Sequence, residues 1–142
     1  MRIRSRTGSA LVEFALVTPL LLLMMAAVLN FGLLLRTAVC VADAARAGAQ
    51  YGSRSAANST DTSGIQSAAV NSAPDIAHLT VSSSRTCKCP DGNSVSCSGP
   101  CGGGPVRVYV QVTASATGSA IFSYSGLPFT GLTSSQATMR VQ

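Results

Sequence analysis

Between Phe14 and Leu35 run 22 residues without a charge, 18 of them apolar. As an α-helix rising about 1.5 Å per residue, this run spans about 33 Å, which matches the hydrocarbon core of a bilayer. The 107 residues beyond it are enough for a modest core but too few for most multi-domain enzymes. Charged residues make up 11% of the chain and mean hydropathy is +0.35. A soluble domain carries about 25% charged residues, so the balance argues against a soluble cytoplasmic enzyme.

The net charge of +5 invites a nucleic-acid reading, but its location removes it. Arg2, Arg4 and Arg6 supply three of the charges within the first six residues, and the rest of the chain carries an ordinary +2. No basic stripe with interleaved aromatics follows, as a nucleic-acid binder would need. The cluster reads instead as a topology signal. Positive-inside bias puts the N-terminus in the cytoplasm and everything after Leu35 outside it. Pro19 lies within the run and should kink the helix, which membrane helices tolerate better than soluble ones.

A secretory signal peptide is the plainer rival. Its apolar region is about 7–15 residues long and is followed by a small-residue cleavage site. Here the run is longer, and no clean A-x-A site follows it. Glu13, near the start of the run, also fits a signal peptide badly. An acidic side chain costs about 2–3 kcal/mol at the bilayer centre and less near the interface, so its presence asks for a reason.

The residues before it supply one: Arg6-Thr7-Gly8-Ser9-Ala10-Leu11-Val12-Glu13-Phe14. A short basic leader ends in glycine, and glutamate is the fifth residue after it. This resembles the processing site of type IV prepilins, where a membrane prepilin peptidase cuts after the glycine. Glycine leaves the backbone open to an active site where a Cβ would obstruct it. Cutting at Gly8–Ser9 would remove the leader and keep the whole apolar helix. The new amine of Ser9 would then lie near the carboxylate of Glu13, which in pilin families pairs with the N-terminus of a neighbouring subunit. An uncleaved anchor, with Glu13 among the headgroups, is the other reading.

The stretch Ala10-Leu-Val-Glu-Phe-Ala-Leu-Val-Thr-Pro-Leu-Leu-Leu-Leu resembles the start of TadE-like proteins. So do Asn30-Phe-Gly-Leu-Leu-Leu-Arg36 and Ala44-Ala-Arg-Ala-Gly-Ala-Gln-Tyr51. The likeness is sharp over residues 8–52 and only architectural beyond. It implies a minor pilin-like or pseudopilin-like component of the tight-adherence (Flp) pilus system, supporting pilus assembly and adhesion without enzyme activity. The implied partners are the prepilin peptidase, other Tad/Flp pilins, inner-membrane assembly proteins and the lipid bilayer, with no nucleic acid and no cofactor. The implied location is the bacterial inner membrane, pilus-associated or periplasmic after processing. Asn30 departs from the pattern, since the family commonly has an acidic residue before Phe-Gly.

The chain thus divides into a leader (1–8), a transmembrane and extended helix (9–52), and an exported head (53–142). Ala38, Ala42, Ala45 and Ala49, with Val41 beside them, form a small-residue seam on one helical face. That seam suits either a neighbouring pilin helix or the head's own sheet. Asp43 and Arg46 are placed to pair, Arg36 marks the far end of the apolar run, and Gly52 is a plausible stop. The helix is expected over about 11–51.

In the head, Ser, Thr and Gly supply 36 of 90 residues and only eight are charged. Residues 53–62 read as a flexible connection. Ser63 and Gln66 form a capping-box pattern for a short helix carrying Ile65, Ala69, Val70 and Ala73 and ending before Pro74. Strands are expected at 78–83, 106–114, 120–124 and 136–141. The clearest has Val106, Val108, Val110 and Val112 on one face. The fold class is α+β, with a long transmembrane helix, a small helix and an antiparallel sheet, a pilin-like plan.

Residues 87–104 hold Cys87, Cys89, Cys97 and Cys101, which read as two disulfides in an exported loop with little core. Three connectivities are possible. The nested pairs Cys87–Cys101 and Cys89–Cys97 are favoured, on the expectation that one hairpin through Asp91-Gly92 satisfies both. A four-cysteine zinc site is the alternative; Cys97-x3-Cys101 fits its spacing, but Cys87-x-Cys89 is tight. Cys40, past the apolar run, reads as a small buried residue, with an intersubunit disulfide as the alternative. His78, at the expected start of a strand, has only Asp75 near it in sequence, and no catalytic set can be assembled around it. Gly102-Gly103-Gly104-Pro105 precedes a strand, so it is a turn and not a phosphate cradle. Two rivals to a pilus component remain: a permanently anchored module that binds through its cysteine loop, and a thiol-disulfide enzyme needing a reactive cysteine.

Overall fold

The computed structural model describes residues 7–118 and 131–142. Helix α1 runs Thr7–Ser53, α2 Thr62–Ser72, and four strands follow: β1 Thr80–Lys88, β2 Ser94–Val95, β3 Arg107–Thr117 and β4 Leu132–Arg140. The strands form one antiparallel sheet in the order β2-β1-β3-β4. The helices cover one face of it, which gives the expected α+β, pilin-like architecture. The strand expected at 120–124 lies outside the described residues.

The 47 residues of α1 make a helix about 70 Å long that does two jobs. From Ala10 to Leu29 every residue is exposed except Thr18 and Ala26, which are half-buried. Burial begins at Asn30, where the side chain is fully enclosed, and continues at Val41, Ala44, Ala45, Gly48, Ala49 and Gly52. That spacing is one face of a 3.6-residue period, and the small side chains let the helix lie close on the sheet. The alanine seam therefore serves this protein's own core. Ala45 and Ala49 are buried in it, while Ala38 and Ala42 sit half-buried at its margin. Gly52 does not end the helix. A Cβ on it would come within 2.9 Å of Val110 Cγ1, so glycine is there for close approach.

Between the helices, residues 54–61 form a bonded turn and not the flexible connection expected. Ser59 N donates to Ser55 O (3.1 Å), Ser59 Oγ to Ala56 O (2.6 Å), and Asn58 Nδ2 to Tyr51 O (3.3 Å). The cap of α2 is Asp61, whose Oδ1 accepts from Gly64 N at 2.9 Å. Ser63 is not the cap; it donates its hydroxyl to the same carboxylate oxygen at 2.7 Å. An aspartate two residues earlier outcompetes the serine because its acceptor is charged.

The strands start and stop away from the expected positions. Strand β1 begins at Thr80, after His78 has turned the chain with φ of 58°, so His78 belongs to a left-handed turn and not to a strand. Strand β3 carries Val110, Val112, Ala114 and Ala116 inward, all buried, and pairs along its length with β1 and β4. Ile65 of α2 closes the core against Ala49, Val110 and Val112. The chain end is tied back to α1, since Gln142 N donates to Ser53 O at 3.0 Å.

Candidate assembly site on the exposed helix

The bare half of α1 presents a surface that water would penalise. Leu11, Val12, Phe14, Leu16, Leu20 and Leu22 are each more than half exposed, as are most apolar residues up to Val28. Residues 10–29 give about 30 Å of helix, one bilayer core. The exposed apolar stripe does not end there. Phe31, Leu35 and Val39 continue it at four-residue steps on the outer face of the part that carries the head. Pro19 cannot donate to the carbonyl of Ala15, and the neighbouring Thr18 hydroxyl bonds the carbonyl of Phe14 at 2.6 Å. The helix passes through the proline unbroken.

Gly8 and Ser9 lie in the first two turns of α1, and Glu13 is exposed one turn further on. Ser9 and Glu13 are four apart, so the backbone nitrogen of Ser9 and the Glu13 carboxylate share a helical face. Glu13 is the lone acidic residue in the bare segment. Arg36 stands where the helix meets the head, and its guanidinium pairs with Asp75 at 3.0 Å across the α2–β1 connection. Both partners are well exposed, so the pair fixes orientation more than it stabilises. Arg46 and Asp43 pair at 3.7 Å, as their spacing implies.

At the far end of α1 a second polar cluster joins the helices. Tyr51 donates its hydroxyl to Asp61 Oδ2 at 2.9 Å. The Ser63 hydroxyl, the Gly64 amide and the Tyr51 hydroxyl together hold the Asp61 carboxyl below its usual range. The bond to Asp61 in turn raises the Tyr51 phenol.

The four head cysteines form Cys87–Cys97 and Cys89–Cys101, with Cα separations of 5.1 and 5.6 Å. This overturns the nested pairing, and the reason is register. The hairpin does turn at Asp91-Gly92, with Gly92 N donating to Cys89 O (2.9 Å) and Gly92 at φ of 90°. But that turn sets Cys87 opposite Val95, and Cys89 N donates to Asn93 O (2.9 Å). Cys97 is then the diagonal neighbour of Cys87 and lies beyond the reach of Cys89. A second turn, with Gly99 N on Ser96 O (2.9 Å), returns Cys101 to Cys89. With these thiols in disulfides, the zinc alternative loses its ligands. Cys40 is free and half-buried against the core.

Sequence reasoning missed Asn30 as a buried position. It lies in the apolar run with no polar neighbour to mark it, yet it is the first residue of α1 to be fully covered. No buried side-chain polar atom goes without a hydrogen bond among the described residues. An open cleft of about 240 Å³ beside the 54–61 turn is lined by Ser59, Thr60, Thr62, Ser83, Ser84, Arg85 and Val110. Its hydroxyls have no base beside them; His78 lies in the α2–β1 connection and does not line it.

An apolar helix bare for one bilayer thickness, long and apolar enough to cross a membrane, continues into a helix that carries a small disulfide-bonded α+β head, a pilin-like architecture. Residues 8–50 match the family model described as TadE-like protein. The match covers α1 almost entirely and stops before the head. No curated protein and no solved structure matches the chain.

Proposed function

We propose that this chain is a non-enzymatic minor pilin-like or pseudopilin-like subunit of a Tad (Flp) pilus, cut by a prepilin peptidase between Gly8 and Ser9. The observation that carries the reading is the division of α1. Among the described residues its first half is exposed apart from the half-buried Thr18 and Ala26, while its second half packs into the head. Such a helix is held by lipid before assembly and by neighbouring helices after it. The stripe of Phe31, Leu35 and Val39 extends that contact past the bilayer.

Cleavage would create an amine at Ser9 on the same face as Glu13. In a filament of low dielectric, an amine of one subunit and a carboxylate of the next attract strongly and fix axial register. Residues 1–8 then act as the leader, 9–52 as the assembly helix and 53–142 as the exported head, with the N-terminus starting on the cytoplasmic side of the inner membrane.

The test is the fate of Glu13→Leu. This variant is expected to insert and to be cleaved at Gly8, yet to stay in the membrane fraction and fail to co-purify with the other pilus components. Normal recovery of Glu13→Leu with those components would contradict the register role. An uncleaved wild-type protein would favour the permanently anchored binding module instead.

A further inference from the structure

The sheet face turned away from the helices is polar apart from the exposed Leu132 at one end, and basic at the other. Its outward positions on β3 are Arg107, Tyr109, Gln111, Thr113 and Ser115. On β1, Ser and Thr fill the outward positions from Thr80 to Thr86, and Lys88 follows; on β4, Ser134, Gln136 and Thr138 lead to Arg140. Along β1 and β4 these side chains are exposed, and along β3 they are half-buried or exposed. Gln136 Nε2 reaches Thr113 Oγ1 at 3.4 Å.

The register crowds the cations. Lys88 is directly opposite Arg107, and Arg140 is directly opposite Tyr109, two residues along β3 from Arg107. Like charges opposite one another destabilise a sheet. No acid relieves them. Among the described residues the ion pairs are Arg36–Asp75 and Arg46–Asp43, and the nearest acid in sequence, Asp91, is bonded to Asn93 in the hairpin turn. The cluster also lies at the end of the sheet beside Ser53, since the C-terminal residue that follows Arg140 and Val141 bonds there. That is 23 residues, about 35 Å of helix, beyond Asn30.

We propose that this face binds an acidic polysaccharide of the polyuronate kind. Lys88, Arg107 and Arg140 pair with carboxylates spaced along the chain. The ring of Tyr109 offers a flat apolar seat with a polar tip for a sugar ring. The Ser, Thr and Gln side chains exchange hydrogen bonds with hydroxyl groups, as both donors and acceptors. A nucleic-acid strand would need a row of aromatic stacking platforms, and among the described residues the face has Tyr109 alone. Headgroups of the membrane that holds residues 10–29 are well beyond a Debye length of about 8 Å. The proposal is independent of cleavage at Gly8, so either can fail alone.

The experiment uses the full chain in phosphatidylcholine nanodiscs with fluorescent alginate oligomers at about 0.15 M salt. Saturable binding of alginate is expected, with none of dextran of equal length. Arg107→Gln with Arg140→Gln should weaken it about tenfold, and Tyr109→Ala several-fold. Arg36→Gln with Arg46→Gln removes the same charge from α1, away from this end of the sheet, and should change nothing. Unfolding midpoints of both double variants check their folding, and Lys88→Gln alone, at an exposed site, gives a second reading with the same expected direction. Absence of alginate binding would overturn the proposal. So would equal weakening by the two double variants, or single-stranded DNA binding as tightly as alginate.

Discussion

Two glycines of α1 show how much a single Cβ decides. At Gly52 the added carbon would meet Val110 Cγ1 at 2.9 Å and Ile65 Cδ1 at 3.1 Å, whereas at Gly32 it would meet nothing within 4 Å. Gly52→Ala should therefore force the helix off the sheet and cost about 1–3 kcal/mol. Gly32→Ala should be neutral, or stabilise by up to about 1 kcal/mol through helix propensity. Thermal unfolding in detergent, followed by near-ultraviolet dichroism, separates the two. The Tyr51–Asp61 clasp adds a pH signature. Asp61 has a lowered folded-state pKa, so its contribution is present above the ordinary carboxylate range and is lost as pH falls through the folded value. Tyr51 has a raised one, so its contribution is present below about 10 and is lost as pH rises through the folded value. Tyr51→Phe should flatten the alkaline loss of stability in a pH series of unfolding midpoints and remove one of the three bonds holding Asp61 down.

At the scale of elements, the disulfide hairpin gives the sharpest prediction. Cys87→Ser with Cys97→Ser removes one whole bridge and leaves Cys89–Cys101 intact, so the denatured, unreduced protein should show one free thiol, Cys40. Cys87→Ser with Cys101→Ser strands one partner of each bridge and should show more. Equal thiol counts would contradict the crossed pairing. Each bridge closes a short loop and should contribute about 2–4 kcal/mol. The long helix and β3 were legible in the sequence because each is strongly periodic, one apolar for 22 residues and the other alternating valine with polar residues. Strand β1 was half legible because Ser82-Ser83-Ser84-Arg85 has no apolar side, and its inward positions are filled by neighbours from α2 and β3. The turn at 54–61 and the Asp61 cap depend on Tyr51 across space, which no local pattern encodes. Asn30 is the same lesson within an apolar run: its burial comes from tertiary packing.

For the whole molecule, the account rests on one helix having two environments. The head is a two-layer unit whose helices cover one sheet face, and α1 continues out of it for about 30 Å with apolar side chains on every side. A charge in the bare half, such as Leu22→Lys, should cost about 2.5–3.5 kcal/mol on insertion and reduce the membrane-integrated fraction in carbonate extraction. Val39→Lys, on the head-bearing half, should leave that fraction unchanged. The central claim, that this helix is a processed assembly helix, is tested most directly by N-terminal sequencing of membrane-extracted protein from cells with and without their prepilin peptidase. The account predicts a start at Ser9-Ala10-Leu11 only when the peptidase is present. A Met1-Arg2-Ile3 start in both would contradict it, and would leave a helix-anchored head whose function lies in its exposed sheet face and cysteine hairpin.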